Sequence, residues 1–214
     1  MLPPVRFIIL FGLFLRFIVS IKNGFFDFEF GHFADPGSFH GYASEFSKNP
    51  TILMCEEEIR HVMSCGLGYV YFLTTDSFFM GSLMSNLAWL GSALVLWKAM
   101  GVLQVEKKNQ KKGMLIYALL PSSIIITSVT LREPYQLLFV NLSVFAALKI
   151  YCDRSFVHWL TMFFSIFFMS LLHGGLIVFG TYILFFTLIL MARQRYKFRF
   201  NKIKLVFLSP LLHC

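Results

Sequence analysis

The sequence predicts an all-α fold: a polytopic transmembrane helical bundle of about six spans, with interfacial amphipathic helices in a long first outer loop. Three observations predict it. Hydrophobic residues fill 57% of the 214 positions and charged residues 14%, where soluble domains carry about 25% charged residues. Apolar runs recur along the chain at the length needed to span, about 20 residues for a hydrocarbon core of about 30 Å. Lysine and arginine gather in short blocks directly after those runs, as they do in cytoplasmic loops. Together they describe one multi-pass integral membrane domain covering residues 1–214. The formal charge of +8 is then a cytoplasmic bias, and no nucleic-acid partner is expected.

The first apolar run, residues 4–21, follows Arg6 and contains Arg16. A charge within the run and the lack of a small-residue cleavage site make it an uncleaved first span. Arg16 costs roughly 2.5–3.5 kcal/mol at the centre of a span, so it either snorkels to a headgroup or faces the protein interior.

Residues 22–62 form the outer loop and hold seven of the eleven acids: Asp27, Glu29, Asp35, Glu45, Glu56, Glu57 and Glu58. Phe25, Phe26, Phe28 and Phe30 interleave with Asp27 and Glu29, which suits a segment lying in the headgroup layer. Asp35-Pro36-Gly37-Ser38 is a helix start, with Asp35 as N-cap and Pro36 in the first turn. Phe39, Tyr42, Ala43 and Phe46 then recur at helical spacing. Residues 48–51 break that helix, and a second amphipathic segment begins at Cys55-Glu56-Glu57-Glu58 and leads through 62–73. That run is short for a span and is expected to be interfacial or partly inserted.

Thr74-Thr75-Asp76-Ser77 caps the next helix, and residues 78–102 make span two. Its end, with Lys98, Lys107, Lys108, Lys111 and Lys112, then falls on the cytoplasmic side. Span three is residues 113–129, span four 134–150, span five 156–172 and span six 176–191. Lys149, Asp153 and Arg154 mark an inner turn, and the basic run 193–204 lies inside as well. The outer loop sets its seven acids against only Lys22, Lys48 and Arg60. Both halves of the charge pattern therefore put the N-terminus in the cytoplasm. Residues 205–214 are apolar but too short to cross; they read as a seventh span cut short or a re-entrant tail. Among Cys55, Cys65, Cys152 and Cys214 there is no metal-ligand spacing, and only Cys55 and Cys65 share the outer side.

Polar chemistry is then expected at three outer features: the acidic loop, the Arg132-Glu133 turn and His173. Each has a plainer alternative. Arg132 and Glu133 suit a self-neutralising helix start, with the acid at the positive end of the dipole. His173 before Gly174-Gly175 suits a turn.

The stretch Asp35-x-x-x-Phe39-x-x-x-Ala43 resembles the pattern after the first span in polytopic glycosyltransferases of the GT-C class, which use polyprenyl-phosphate sugars. The order that follows is also similar: Gly66-Leu67-Gly68-Tyr69-x-Tyr71-Phe72-Leu73 before Asp76, then Leu120-Pro121-Ser122, then Leu131-Arg132-Glu133-Pro134. The resemblance covers residues 1–150, with Phe39 where tyrosine is commoner in the family. It implies transfer of a sugar from a polyprenyl-phosphate carrier to a cell-envelope glycan or lipid acceptor, on the outer face of a bacterial inner membrane. A lipid phosphate departs readily, so such a reaction needs a carboxylate to take the acceptor proton and a cation to hold the phosphate. The resemblance gives Asp35 the first role, with Glu133 as a second catalytic carboxylate. It gives Arg132 the clamp, and His32, His40 and Tyr42 contacts to the substrate or membrane lipid. His32 and His40 flank Asp35, and a divalent metal held there is the one cofactor implied. Rival functions are a polysaccharide polymerase or export component, and a non-catalytic membrane subunit or fragment. A transporter fits less well, because no internal repeat is present and few charges lie within the spans.

Overall fold

A computed structural model describes residues 3–26, 34–50, 62–153 and 155–196. Every regular element among them is a helix. In chain order these are α1 (Pro3–Phe25), α2 (Ala34–Lys48), α3 (Val62–Leu73), α4 (Phe78–Val102), α5 (Lys107–Leu119), α6 (Pro121–Thr127), α7 (Glu133–Asp153), α8 (Phe156–Leu172) and α9 (Leu176–Tyr196). The aromatic segment 27–33, the Glu56-Glu57-Glu58 run, Arg154, most of the last basic block and the tail 205–214 lie outside the described residues.

Among the described residues, four helices are long and apolar enough to cross a membrane: α1, α4, α7 and α9. Their surfaces follow lipid logic. On α1, Phe7 is 69% exposed and Leu10 61%, while Arg16 and Ser20 are fully enclosed. Apolar rings face outward and polar atoms inward, as expected where the surrounding solvent is hydrocarbon. The segment expected as the fifth span is a helix with the same bounds, α8, but at 17 residues it is a shorter apolar helix than the four.

The expected third span, 113–129, is not one helix. It divides at Leu120, whose backbone is extended (φ −60°, ψ 118°), and Pro121 opens α6. Proline has no N–H to give and its ring crowds the preceding turn, so helix α5 stops before it. The break leaves carbonyls of the last turn of α5 without helical partners. Arg16 takes one of them: Nη1 donates to Ala118 O at 2.8 Å and to Gly12 O at 2.9 Å. Nε donates to Thr127 Oγ1 at 2.7 Å, and Nη2 to Ser123 Oγ at 3.0 Å. The guanidinium lies 3.6 Å from the centre of the Trp89 ring. Of the two fates open to Arg16, the structure shows the interior one, and the side chain joins both halves of the broken segment to α1. Beside it Asn86 Nδ2 donates to Ser20 Oγ at 2.9 Å, which donates to Ser128 O at 3.0 Å.

Contacts among the described residues divide the chain into two units. One lies within Met1–Ala93 and Lys111–Leu138, the other within Leu94–Gln110 and Phe139–Cys214. In the second, α8 and α9 form an antiparallel pair with Ala146, Ile150, Met162 and Ile183 at its core. His173 sits in the α8–α9 turn, where its backbone N–H bonds Met169 O and its Nδ1 accepts from the Gly175 N–H at 3.1 Å. This is the turn role. Lys149 pairs with Asp153 at 2.6 Å, one helical turn on. Cys65, in the first unit, and Cys152, in the second, are both disulfide-bonded; Cys55 is outside the described residues.

Candidate functional site in the first unit

The site is built on the pairing of α2 with α3. Phe39, Ala43 and Phe46 of α2 are buried, and Leu67 and Tyr71 of α3 meet them. The helices approach so closely at Gly68 that a Cβ there would lie 2.6 Å from Phe46 Cδ1 and 2.9 Å from Ala43 O. Glycine is what lets the two backbones touch. A second close approach is at Gly81 on α4, where a Cβ would meet Thr130 Oγ1 and Tyr71 Oη, the latter at 2.7 Å.

The turn from α3 to α4 is capped as its sequence suggests, with the Met80 N–H donating to Ser77 Oγ at 3.2 Å. Asp76 is therefore free of that duty and points at α2. Ser44 Oγ donates to Asp76 Oδ2 in a short hydrogen bond. Asp76 Oδ1 faces His40 Nε2 across 3.8 Å, with the two side chains 39% and 18% exposed. The other ring nitrogen of His40, Nδ1, is 2.9 Å from Tyr71 Oη, and the imidazole stacks on Phe78 with centroids 3.8 Å apart. Burial lowers the His40 pKa from its ordinary 6.5, with Asp76 pulling part of the way back. Burial raises the Tyr71 phenol well above its usual range, helped by Asp76 and Tyr135. At neutral pH the pair is thus a neutral imidazole and a protonated phenol.

One residue before His40, Phe39 docks on Val129 and Leu131, with Met63 alongside. That contact brings the Arg132 guanidinium to 5.8 Å from the Phe39 ring centre, within cation–π reach. Glu133 opens α7 with Pro134 in its first turn, as the sequence leads one to expect. Its Oε2 is buried and has no hydrogen-bond partner among the described residues.

The structure therefore gathers only some of the residues singled out from sequence. His40 and Arg132 both attach to the face of α2 that packs inward. Tyr42 is exposed. Asp35 is exposed in the first turn of α2, one residue inside the helix rather than at its N-cap. It lies five residues from His40, which puts the two about 140° apart around the helix. They do not converge on one metal, and the His40 nitrogens face Tyr71 and Asp76 instead. His32 lies outside the described residues. Among the described residues no group of three or more His, Cys, Asp or Glu side chains is placed to hold a metal ion.

Sequence reasoning does not single out Asp76, Tyr71 or Ser44 as site residues. A signal for Asp76 exists: it is the one acid between Glu58 and Glu106, set in a short turn between two apolar helices. Such a residue is a functional candidate by default. Compared with family models, with curated proteins and with solved structures, the chain matches none.

Proposed function

We propose that the chain is a membrane glycosyltransferase-like protein that moves a sugar from a polyprenyl-phosphate donor to a cell-envelope glycan or lipid acceptor. The observation that carries this is the docking of Phe39 beneath Arg132. It sets a permanent cation on the interfacial helix that also bears Asp35, His40 and Tyr42. A guanidinium presents paired donors to phosphate oxygens. The phosphate of a lipid carrier lies at the depth of such a helix, and the sugar beyond it reaches the polar side chains. Arg132 holds the departing phosphate; Tyr42 and His40 border the sugar. Proton removal falls to a carboxylate, and the resemblance names Asp35, with Glu133 as the second.

In this reading six segments cross, the two parts of the broken third segment counting as one. α2 and α3 lie on the outer face, and the N-terminus and lysine-rich ends lie in the cytoplasm of a bacterial cell. One observation opposes the inner placement of the α7 C-terminus: Cys152 there is disulfide-bonded, and cytosolic thiols are kept reduced. Labelling with a membrane-impermeant thiol reagent after reduction decides the side on which Cys152 lies.

The function is tested by glycan profiling of a deletion strain complemented with the native chain or with Arg132→Ala. Restoration by the native chain, and its loss with Arg132→Ala at equal membrane level, is the expected result. Equal restoration by both would leave the chain as a non-catalytic subunit, and no glycan change on deletion would remove the transferase reading.

A further inference from the structure

His40 and Asp76 face each other without meeting. Their facing atoms stand 3.8 Å apart, too far for a direct hydrogen bond, which requires about 2.7–3.2 Å. An oxygen standing beside the line that joins them reaches both at ordinary hydrogen-bond lengths. The groups around the gap determine what that oxygen must do. The carboxylate oxygen Oδ1 of Asp76 opposite Nε2 favours the tautomer with its hydrogen on Nε2, and in that tautomer Nδ1 accepts from the Tyr71 hydroxyl at 2.9 Å. Asp76 Oδ2 is occupied by the Ser44 hydroxyl, so Oδ1 is the acceptor that faces it. One wall of the gap offers a donor and the other an anionic acceptor. An alcohol satisfies both, accepting from Nε2–H and donating its own proton to Oδ1. Phe78, stacked on the imidazole at 3.8 Å, fixes the ring plane.

We propose that Asp76 and His40 form the acceptor-hydroxyl site of this protein, Asp76 Oδ1 taking the proton and His40 Nε2–H orienting the attacking oxygen. The inference rests on the transferase reading and moves the proton-accepting role from Asp35 to Asp76. In the step, the hydroxyl oxygen bonds to the anomeric carbon of the donor sugar. The bond from that carbon to the phosphate oxygen breaks, and its electron pair departs on the lipid phosphate. The proton passes from the hydroxyl to Asp76, which later returns it to water. His40 remains neutral throughout and changes no bond. Among the described residues, the charged and titratable groups that face this imidazole are Asp76 from the α3–α4 turn and Tyr71 from α3, with Tyr135 of α7 acting through Tyr71.

Two readouts on the full chain test the assignment. The first is product yield in the complemented deletion strain. Asp76→Asn preserves shape and the bond from Ser44, and is expected to lower yield by about 10²- to 10⁴-fold, the range of a lost general base. Thr75→Ala, next to it in the same turn, leaves yield unchanged. The second readout needs no substrate: the rate at which diethyl pyrocarbonate modifies His40, followed by peptide mass spectrometry across pH. Only neutral imidazole reacts, so the midpoint reports its protonation, and it is expected below 6.5 in the native chain and lower again in Asp76→Asn. If Asp76→Asn fails to reach the membrane, Ser44→Ala, which frees only Oδ2, is expected to give a smaller loss and a raised midpoint.

Full yield from Asp76→Asn, or loss confined to Asp35→Asn, overturns the proposal while the transferase reading stands. A His40 midpoint indifferent to Asp76→Asn overturns it as well, by dissolving the pair. A native chain that restores no product overturns both, and the silence of that control identifies the case.

Discussion

Arg16 and Asp76 are both charged groups set against aromatic rings in the first unit, and they are treated in opposite ways. Arg16 is wholly enclosed, and four of its hydrogen bonds go to neutral acceptors on α1, α5 and α6. Asp76 is 39% exposed, with one oxygen held by Ser44 and the other facing a donor it does not reach. A buried charge surrounded by fixed dipoles holds helices together and has little capacity left for another molecule. An exposed charge with one oxygen facing a donor it does not reach keeps an acceptor for another molecule. The difference separates a fastening from a proposed acceptor site.

The comparison is broken most sharply at Arg16. Arg16→Ala removes hydrogen bonds from a charged donor and leaves the Ala118 carbonyl unmatched, for an expected loss of about 3 kcal/mol. Unfolding of the purified chain in lipid nanodiscs measures it, and a loss no greater than that of an exposed α1 substitution would show that the guanidinium fastens nothing. Thr127→Val, which removes a single acceptor, is expected to cost about 1 kcal/mol.

The next effect is at the α2–α3 contact that holds the site. Gly68→Ala drives a Cβ into Phe46 and the Ala43 carbonyl and is expected to cost about 1–3 kcal/mol. Gly66→Ala, on the same helix with nothing within 4 Å of its Cβ, is expected to stabilise by about 0.4–1 kcal/mol through the unfolded chain. Equal effects from the two would mean that α2 and α3 do not pack as described.

The smallest effect is one of pH. His40 has a folded pKa below its unfolded 6.5, chiefly through burial. As the pH falls through 6.5, the unfolded chain binds a proton that the folded chain does not, so stability declines until the folded pKa is passed. The contribution of neutral His40 is complete above 6.5. Comparing unfolding of the native chain and His40→Gln above and below that pH isolates it; identical pH slopes would assign the decline to other groups.

What is legible in the sequence follows from distance along the chain. The starts of α4 and α7 are set by Ser77 and Pro134 beside runs of apolar residues, all local signals, and they fall where the pattern puts them. The break at Pro121 is also local, yet an apolar run on either side of a proline still reads as one span, because hydropathy does not register a missing N–H. The fate of Arg16 is open from sequence because its partners lie more than 100 residues away. Asp76 and His40 are likewise joined only by folding, and a TTDS turn before a helix has a sufficient local explanation as a cap. The acid-rich loop includes α2, whose Ser44 and His40 meet Asp76. The member of its chemistry with a built environment is the acid just beyond it.

The clasp made by Arg16 also orders the birth of the molecule. Its acceptors at Ala118, Ser123 and Thr127 are made long after α1 has entered the membrane: at synthesis rates of roughly 5–20 residues per second, the wait is on the order of 5–20 seconds. Throughout that interval the first helix carries an unfastened cation that the bilayer disfavours. α1 must be sheltered at the insertion machinery or ride toward the headgroups until the broken segment arrives. The earliest synthesised of the described helices is therefore among the last to settle.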